Sequence, residues 1–167
     1  MISKLANLFR TPDLAAEAGR EDAAIHLAAA ALMVEAAHMD GQVDAAERSA
    51  IARCLEAHFG LSATEAGDLL AKAEAEIAES TQLHPFALRL TGALDYDERV
   101  ELVEMLWEVA YADGELHDFE ANLLRRLGGL LHVTDFDRGA ARKRAVARLA
   151  ADIAPDDGGD DGGNVTR

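Results

Sequence analysis

Apolar residues recur along this chain at helical spacing, and the places where the pattern breaks carry most of the information. From Leu27 to Ala37 every position is apolar except Glu35. A helix that is apolar on all sides is a buried helix, so the pattern predicts one that starts near Asp22. A carboxylate on such a helix must be paired, hydrogen-bonded, metal-bound or neutral, because an isolated buried charge is too costly. Glu35 is therefore not explained by packing alone, and His38 follows it by about one turn. The helix is expected to stop at Asp40-Gly41, since glycine is the usual residue just past a helix end. A second helix should start at once, with Asp44 as its N-cap and Glu47 completing a capping box.

Downstream, Ile51, Cys54, Leu55 and Phe59 keep helical spacing to Gly60. Ser62 and Glu65 form another capping box, opening a helix with Leu69, Leu70, Ala73 and Ile77 inward and Glu74, Glu76 and Glu79 outward. The pattern breaks between Ser80 and Pro85, and Pro85 suits the first turn of a shorter helix through about Leu94. Asp95 and Glu98 then cap a helix through Val100, Val103, Leu106, Trp107 and Ala110. Glu101, Glu104 and Glu108 form a separate stripe on it, which reads Glu108, unlike Glu35, as facing water. A helix through Leu123, Leu124, Leu127 and Leu131 follows. Thr134 and Asp137 cap a last one to about Ile153. At the front, Thr11-Pro12-Asp13 is a helix-start signal for a short piece expected to end at Gly19. The pattern predicts about seven helices and no sheet.

Residues 107–120, WEVAYADGELHDFE, repeat the first turn. Glu35, Asp40, Gly41 and Glu47 match Glu108, Asp113, Gly114 and Glu120, all at the offset that separates Asp40 from Asp113. Val43 matches Leu116. Asp44 alone breaks the register: His117 holds its place and Asp118 comes one residue later. Coincidences in register point to an internal duplication.

Composition adds bounds. A chain of 167 residues is most simply one domain. The expected organisation is an N-terminal amphipathic segment 1–21, a helical domain 22–153 and a disordered acidic tail 154–167. Aromatic residues are 5% of the chain and alanine is abundant, a mixture that favours close-packed helices over sheets. The net charge of −15 argues against nucleic acid, whose phosphates need a basic footprint, and suits cation binding or plain solubility. The single cysteine, Cys54, excludes a disulfide within the chain and a cysteine-built zinc site; on its apolar stripe it reads as core packing. It also suits a reducing compartment. No apolar run reaches the roughly 18–20 residues that span a bilayer, and the start lacks a secretory layout, so the chain reads as cytoplasmic. In residues 1–10, Ile2, Leu5, Leu8 and Phe9 can share a face. That segment suits either weak membrane-surface contact or packing on the body. Arg138, Arg142, Lys143, Arg144 and Arg148 give the last helix a basic face. It suits phosphate or lipid, or the protein's own acidic surface, and the net charge favours the second.

An enzyme is not expected. Glu35-Ala-Ala-His38 is a Glu-x-x-His pair of the kind used twice in carboxylate-bridged di-iron bundles, but the second copy has Tyr111 where the histidine should stand. No nucleophile elbow, phosphate-binding glycine loop or zinc-protease motif is present in the sequence.

The segments ALMVEAAHMDGQVDAAER, VEMLWEVAYADGEL and LLRRLGGLLHV resemble the TerB-like family of tellurite-resistance proteins over roughly residues 22–150. Two copies of the Asp-Gly turn followed by glutamate are its most specific element. The resemblance implies an all-α single domain of about seven helices built from two related helix-turn-helix halves. It also implies an acidic divalent-metal site, and a role with other proteins of a tellurite or chemical-stress response. A related domain precedes the J-domain of a membrane-associated co-chaperone; no J-domain follows here, and co-chaperone activity is not carried over. By position, the implied metal ligands are Glu35, Asp40, Asp44 and Glu47, with Glu108, Asp113, Asp118 and Glu120 in the second half. Carboxylates with little histidine suit calcium or magnesium. The glycine directly after the first aspartate and the absent twelve-residue loop spacing distinguish the motif from an EF-hand. Capping and turn formation account for Asp44, Glu47, Asp40 and the glycines without any metal. A metal-free protein- or membrane-interaction module therefore stands as the second reading, with the di-iron enzyme third.

Overall fold

The structure is a computed structural model that describes residues 12–37, 43–80, 82–112, 114 and 118–153. The amphipathic segment 1–10, the capping Thr11, the acidic tail, His38, Asp40, Gly41, Asp113 and His117 lie outside the described residues. Seven helices and no strand occur among the residues described: α1 (Pro12–Ala37), α2 (Ala45–Phe59), α3 (Ala63–Glu79), α4 (His84–Ala93), α5 (Tyr96–Ala110), α6 (Asp118–Leu130) and α7 (Asp135–Ile153).

The capping boxes form as their spacing predicts. Asp44, Ser62 and Asp95 each accept a hydrogen bond from the backbone N–H three residues on, and Glu47, Glu65 and Glu98 each reach back to the cap. Thr134 Oγ1 likewise accepts from Asp137 N at 3.2 Å ahead of α7. The Tyr96 hydroxyl donates to Asp137 at 2.6 Å, tying the start of α5 to the start of α7. Pro85 sits in the first turn of α4.

Gly19 does not end a helix. α1 runs unbroken from Pro12 through it, and a Cβ at Gly19 would meet nothing within 4 Å. Its neighbours Glu17, Ala18, Arg20 and Glu21 are good helix formers, and one exposed glycine costs a helix only about 1 kcal/mol relative to alanine. Gly114 also departs from expectation. α5 is capped by Tyr111, whose carbonyl accepts from Gly114 N at 2.9 Å, so the glycine (φ +83°) closes the following turn instead of capping the helix directly.

The two turns are equivalent in register. α1 ends at Ala37 and α5 at Ala110, α2 begins at Ala45 and α6 at Asp118, and each pair is spaced as Asp40 is from Asp113. The packing repeats as well. α1 lies against α3 as α5 lies against α7, α2 contacts α5 as α6 contacts α1, and α1 and α5 meet at the centre. α4 joins the halves and packs on α1 and α6. The centre is apolar: Leu32, Met33 and Val34 of α1, Leu102, Val103 and Leu106 of α5, and Ile51, Leu55, Leu90, Leu127 and Leu131 around them are all essentially inaccessible. Small residues at Ala28 to Ala31 let neighbouring helices approach α1 closely. None of the helices described is long and apolar enough to cross a membrane.

Candidate functional site

The acidic residues of the two turns fall into different environments. Glu35 is half-buried near the end of α1, with Val34, Ala36 and Ala37 inaccessible beside it. The residue is only partly buried, so burial demands a partner less strongly than the apolar pattern implied. Asp44 is the exposed N-cap of α2. Its Oδ1 accepts from Glu47 N at 2.8 Å, and Glu47 Oε2 accepts from Asp44 N at 2.7 Å. In the second half Asp118 is the exposed first residue of α6. Glu120, two residues on, is only 5% exposed and is engaged with a partner. Among the described residues, no three of Glu35, Asp44, Glu47, Glu108, Asp118 and Glu120 converge as a ligand set.

The stripe formed by Glu104 and Glu108 does not face water; it faces the basic side of α7. Arg144 Nε donates to Glu104 Oε2 at 2.6 Å, and Arg148 Nη2 donates to Glu104 Oε1 at 2.8 Å, so each oxygen of this buried carboxylate has its own guanidinium. Arg148 Nη1 donates to Glu108 Oε1. The periodicity correctly placed the glutamates on one face, but it contained nothing about the helix that docks there. Arg142 stacks over the Trp107 ring at 5.1 Å and donates to the Tyr111 hydroxyl at 2.9 Å, and Arg138 pairs with Asp135. The basic face is therefore largely spent on the protein's own acidic and aromatic surface, as the net charge favoured.

The second oxygen of Glu108 points to α2. Cys54 and His58 lie one turn apart on the same face of that helix. The Cys54 thiol donates to Glu108 Oε2 at 3.6 Å, and His58 Nε2 lies 3.6 Å from the same oxygen. The potential ligand atoms of the three residues lie within 4.8 Å of one another, the only such group of three among the described residues. Burial pushes the Cys54 thiol up, and the charge of Glu108 and the hydrogen bond to it push in the same direction. A thiol held protonated is a poor nucleophile, consistent with core packing. Burial also pushes the Glu108 carboxyl up, but the hydrogen bond from His58 and the charge of Arg148 outweigh it, and the group ends below its ordinary value.

His58 is the residue that sequence reasoning missed. Its signal was present: cysteine and histidine four apart share a helix face. Counting cysteines excludes a zinc site built of several thiolates, but not a mixed set in which one thiol meets a nitrogen and a carboxylate from another helix.

The family model for tellurite resistance protein TerB matches residues 26–143, a span from the buried part of α1 into α7. No curated protein and no solved structure matches.

Proposed function

The chain belongs to the TerB family of tellurite resistance proteins, and from that premise we propose that it is a non-catalytic, divalent-cation-responsive binding module of a tellurite or chemical-stress response. In this reading the acidic turns take calcium or magnesium through Glu35, Asp40, Asp44 and Glu47 on one side and Asp113, Asp118 and Glu120 on the other. Glu108, the remaining member of the family-implied set, is engaged by Arg148 and His58 and is left out of this reading. The observation that carries the reading is the equal register of the two turns, each opening a helix with acidic residues, the second with the nearly inaccessible carboxylate Glu120. Hard cations take oxygen ligands of this kind. Cation occupancy would then set the geometry of two surface turns and, through them, a contact with another protein of the response.

One observation favours the metal-free reading. The mutual hydrogen bonds of Asp44 and Glu47 already account for both residues as helix caps. Metal analysis of protein purified without chelator separates the readings. Calcium or magnesium in stoichiometric amount supports the cation module, whereas metal-free protein supports an interaction module whose turns only join helices. Two irons per chain would instead bring back the di-iron enzyme.

A further inference from the structure

We propose that Cys54, His58 and Glu108 form a three-ligand site for a zinc-class divalent cation, separate from the acidic turns and independent of whether those bind calcium or magnesium. With metal–sulfur bonds of about 2.3 Å and metal–oxygen or metal–nitrogen bonds of about 2.0 Å, tetrahedral angles put sulfur and oxygen about 3.5 Å apart and nitrogen and oxygen about 3.3 Å apart. The Cys54 Sγ–Glu108 Oε2 and His58 Nε2–Glu108 Oε2 separations are both 3.6 Å. The two edges that meet at Glu108 thus already stand near the lengths of such a site, and the third, between Cys54 and His58, is within 4.8 Å, on two packed helices and not on loops.

The donor set also selects the ion. A thiolate and an imidazole discriminate against calcium and magnesium and suit zinc and its neighbours, and three protein ligands leave a fourth position open. The surroundings supply the second shell. Arg148 holds the other oxygen of Glu108, Oε1, and Glu104 anchors Arg148 in turn. Arg148 Nη1 also lies 3.5 Å from His58 Nε2. The bonds of Nη1 to Glu108 Oε1 and of Nη2 to Glu104 hold the guanidinium as the ion takes the imidazole nitrogen in its place. The side chains of His58 and Glu108 remain 19% and 13% exposed, which gives the ion a path from solvent.

Binding exchanges a proton for the ion. The S–H bond of Cys54 breaks, its electron pair goes to the metal, and the proton leaves to solvent. The ion adds two positive charges and the thiolate removes one; the surplus is accommodated in a chain of net charge −15.

The test is a cobalt(II) titration of the full chain, purified with chelator and reductant. The expected result is one ion per chain, with a thiolate-to-cobalt charge-transfer band and tetrahedral visible bands, bleached by zinc. Cys54 is the only cysteine, so within one chain the band can have no other source. Cys54→Ser should abolish it. His58→Gln, at the edge of the core, should melt like wild type and bind cobalt more than about tenfold more weakly. Asp40→Asn and Asp113→Asn should leave the band intact, which keeps this site distinct from the acidic turns. Absence of the band at stoichiometric cobalt would overturn the proposal, as would unchanged cobalt affinity in His58→Gln.

Discussion

The buried fork at Glu104 makes a prediction whose size follows from its environment. The carboxylate is 5% exposed, and each oxygen is held by one guanidinium, from Arg144 and from Arg148. Changing both arginines to methionine keeps most of the aliphatic packing and leaves the Glu104 charge buried without compensation, while Glu108 loses Arg148 and keeps His58. Breaking a buried pair from one side costs about 3–5 kcal/mol. Both arginine side chains are about half exposed (50% and 48%), so solvent screens part of the attraction and the expected loss lies near 3 kcal/mol. Each single variant leaves one partner in place and should lose about 1.5–2 kcal/mol, the lower part of the range for a hydrogen bond to a charged group. In urea the double variant should show a lower midpoint at an unchanged slope. In a thermal scan it should melt roughly 6–12 °C lower. Adding Glu104→Met to the double variant removes the stranded charge and should recover most of the loss, since well-packed apolar replacements of buried ion clusters are often neutral or better. A double variant within about 1 kcal/mol of wild type would place these pairs among ordinary surface ion pairs. Failure of Glu104→Met to recover stability would place the loss in packing or at Glu108, which also loses Arg148, and not at Glu104.

Four further expectations follow from single positions. Gly19→Ala should stabilise α1 by about 0.5–1 kcal/mol, since nothing obstructs a Cβ in that exposed helix interior; Gly114→Ala, at φ +83°, should destabilise by about 1–2 kcal/mol, and chemical denaturation of the two variants reads both signs. Asp44→Ala should cost about 0.5–2 kcal/mol in chelator, because the capping bond to Glu47 N is lost whether or not a cation is present. Glu108 lies below its ordinary 4.5 in the folded state, so the unfolded chain binds more protons there as the pH falls. Its contribution is full above about pH 4.5 and is lost as the pH falls through the lower folded value; Glu108→Gln should flatten the acid limb of a stability-against-pH curve measured by urea titration.

Much of the fold was legible because its signals are local. Asp44 with Glu47, Ser62 with Glu65 and Asp95 with Glu98 fix helix starts through hydrogen bonds that span three residues, and no distant part of the chain needs to be known. The all-apolar run from Leu27 to Val34 marked the central helix for the same kind of reason. Gly19 misled because glycine is a helix stop only where the chain needs a left-handed residue, and α1 continues in the ordinary helical region. The fates of Glu104 and Glu108 were not legible. Their stripe was visible, but what covers it is a helix that begins at Asp135 and reaches back through a turn whose packing no local pattern encodes. The Cys54–His58–Glu108 cluster shares that limit. Two of its members announce themselves by spacing on α2, and the third comes from α5, brought there by the contact between halves.

The cation reading of the acidic turns is tested most directly by the thermal midpoint of the full chain in calcium or magnesium against chelator, for wild type, Asp40→Asn and Asp113→Asn. A ligand that binds only the folded state adds about 2.7 kcal/mol at a hundredfold excess over its Kd. Asparagine keeps the turn preference while removing the charged ligand. The account predicts that wild type melts higher with the cation and that each asparagine variant loses most of the increment, while melting like wild type in chelator. A wild-type midpoint that does not move between cation and chelator, with both variants melting alongside it, would contradict the account and leave the turns as helix connections alone.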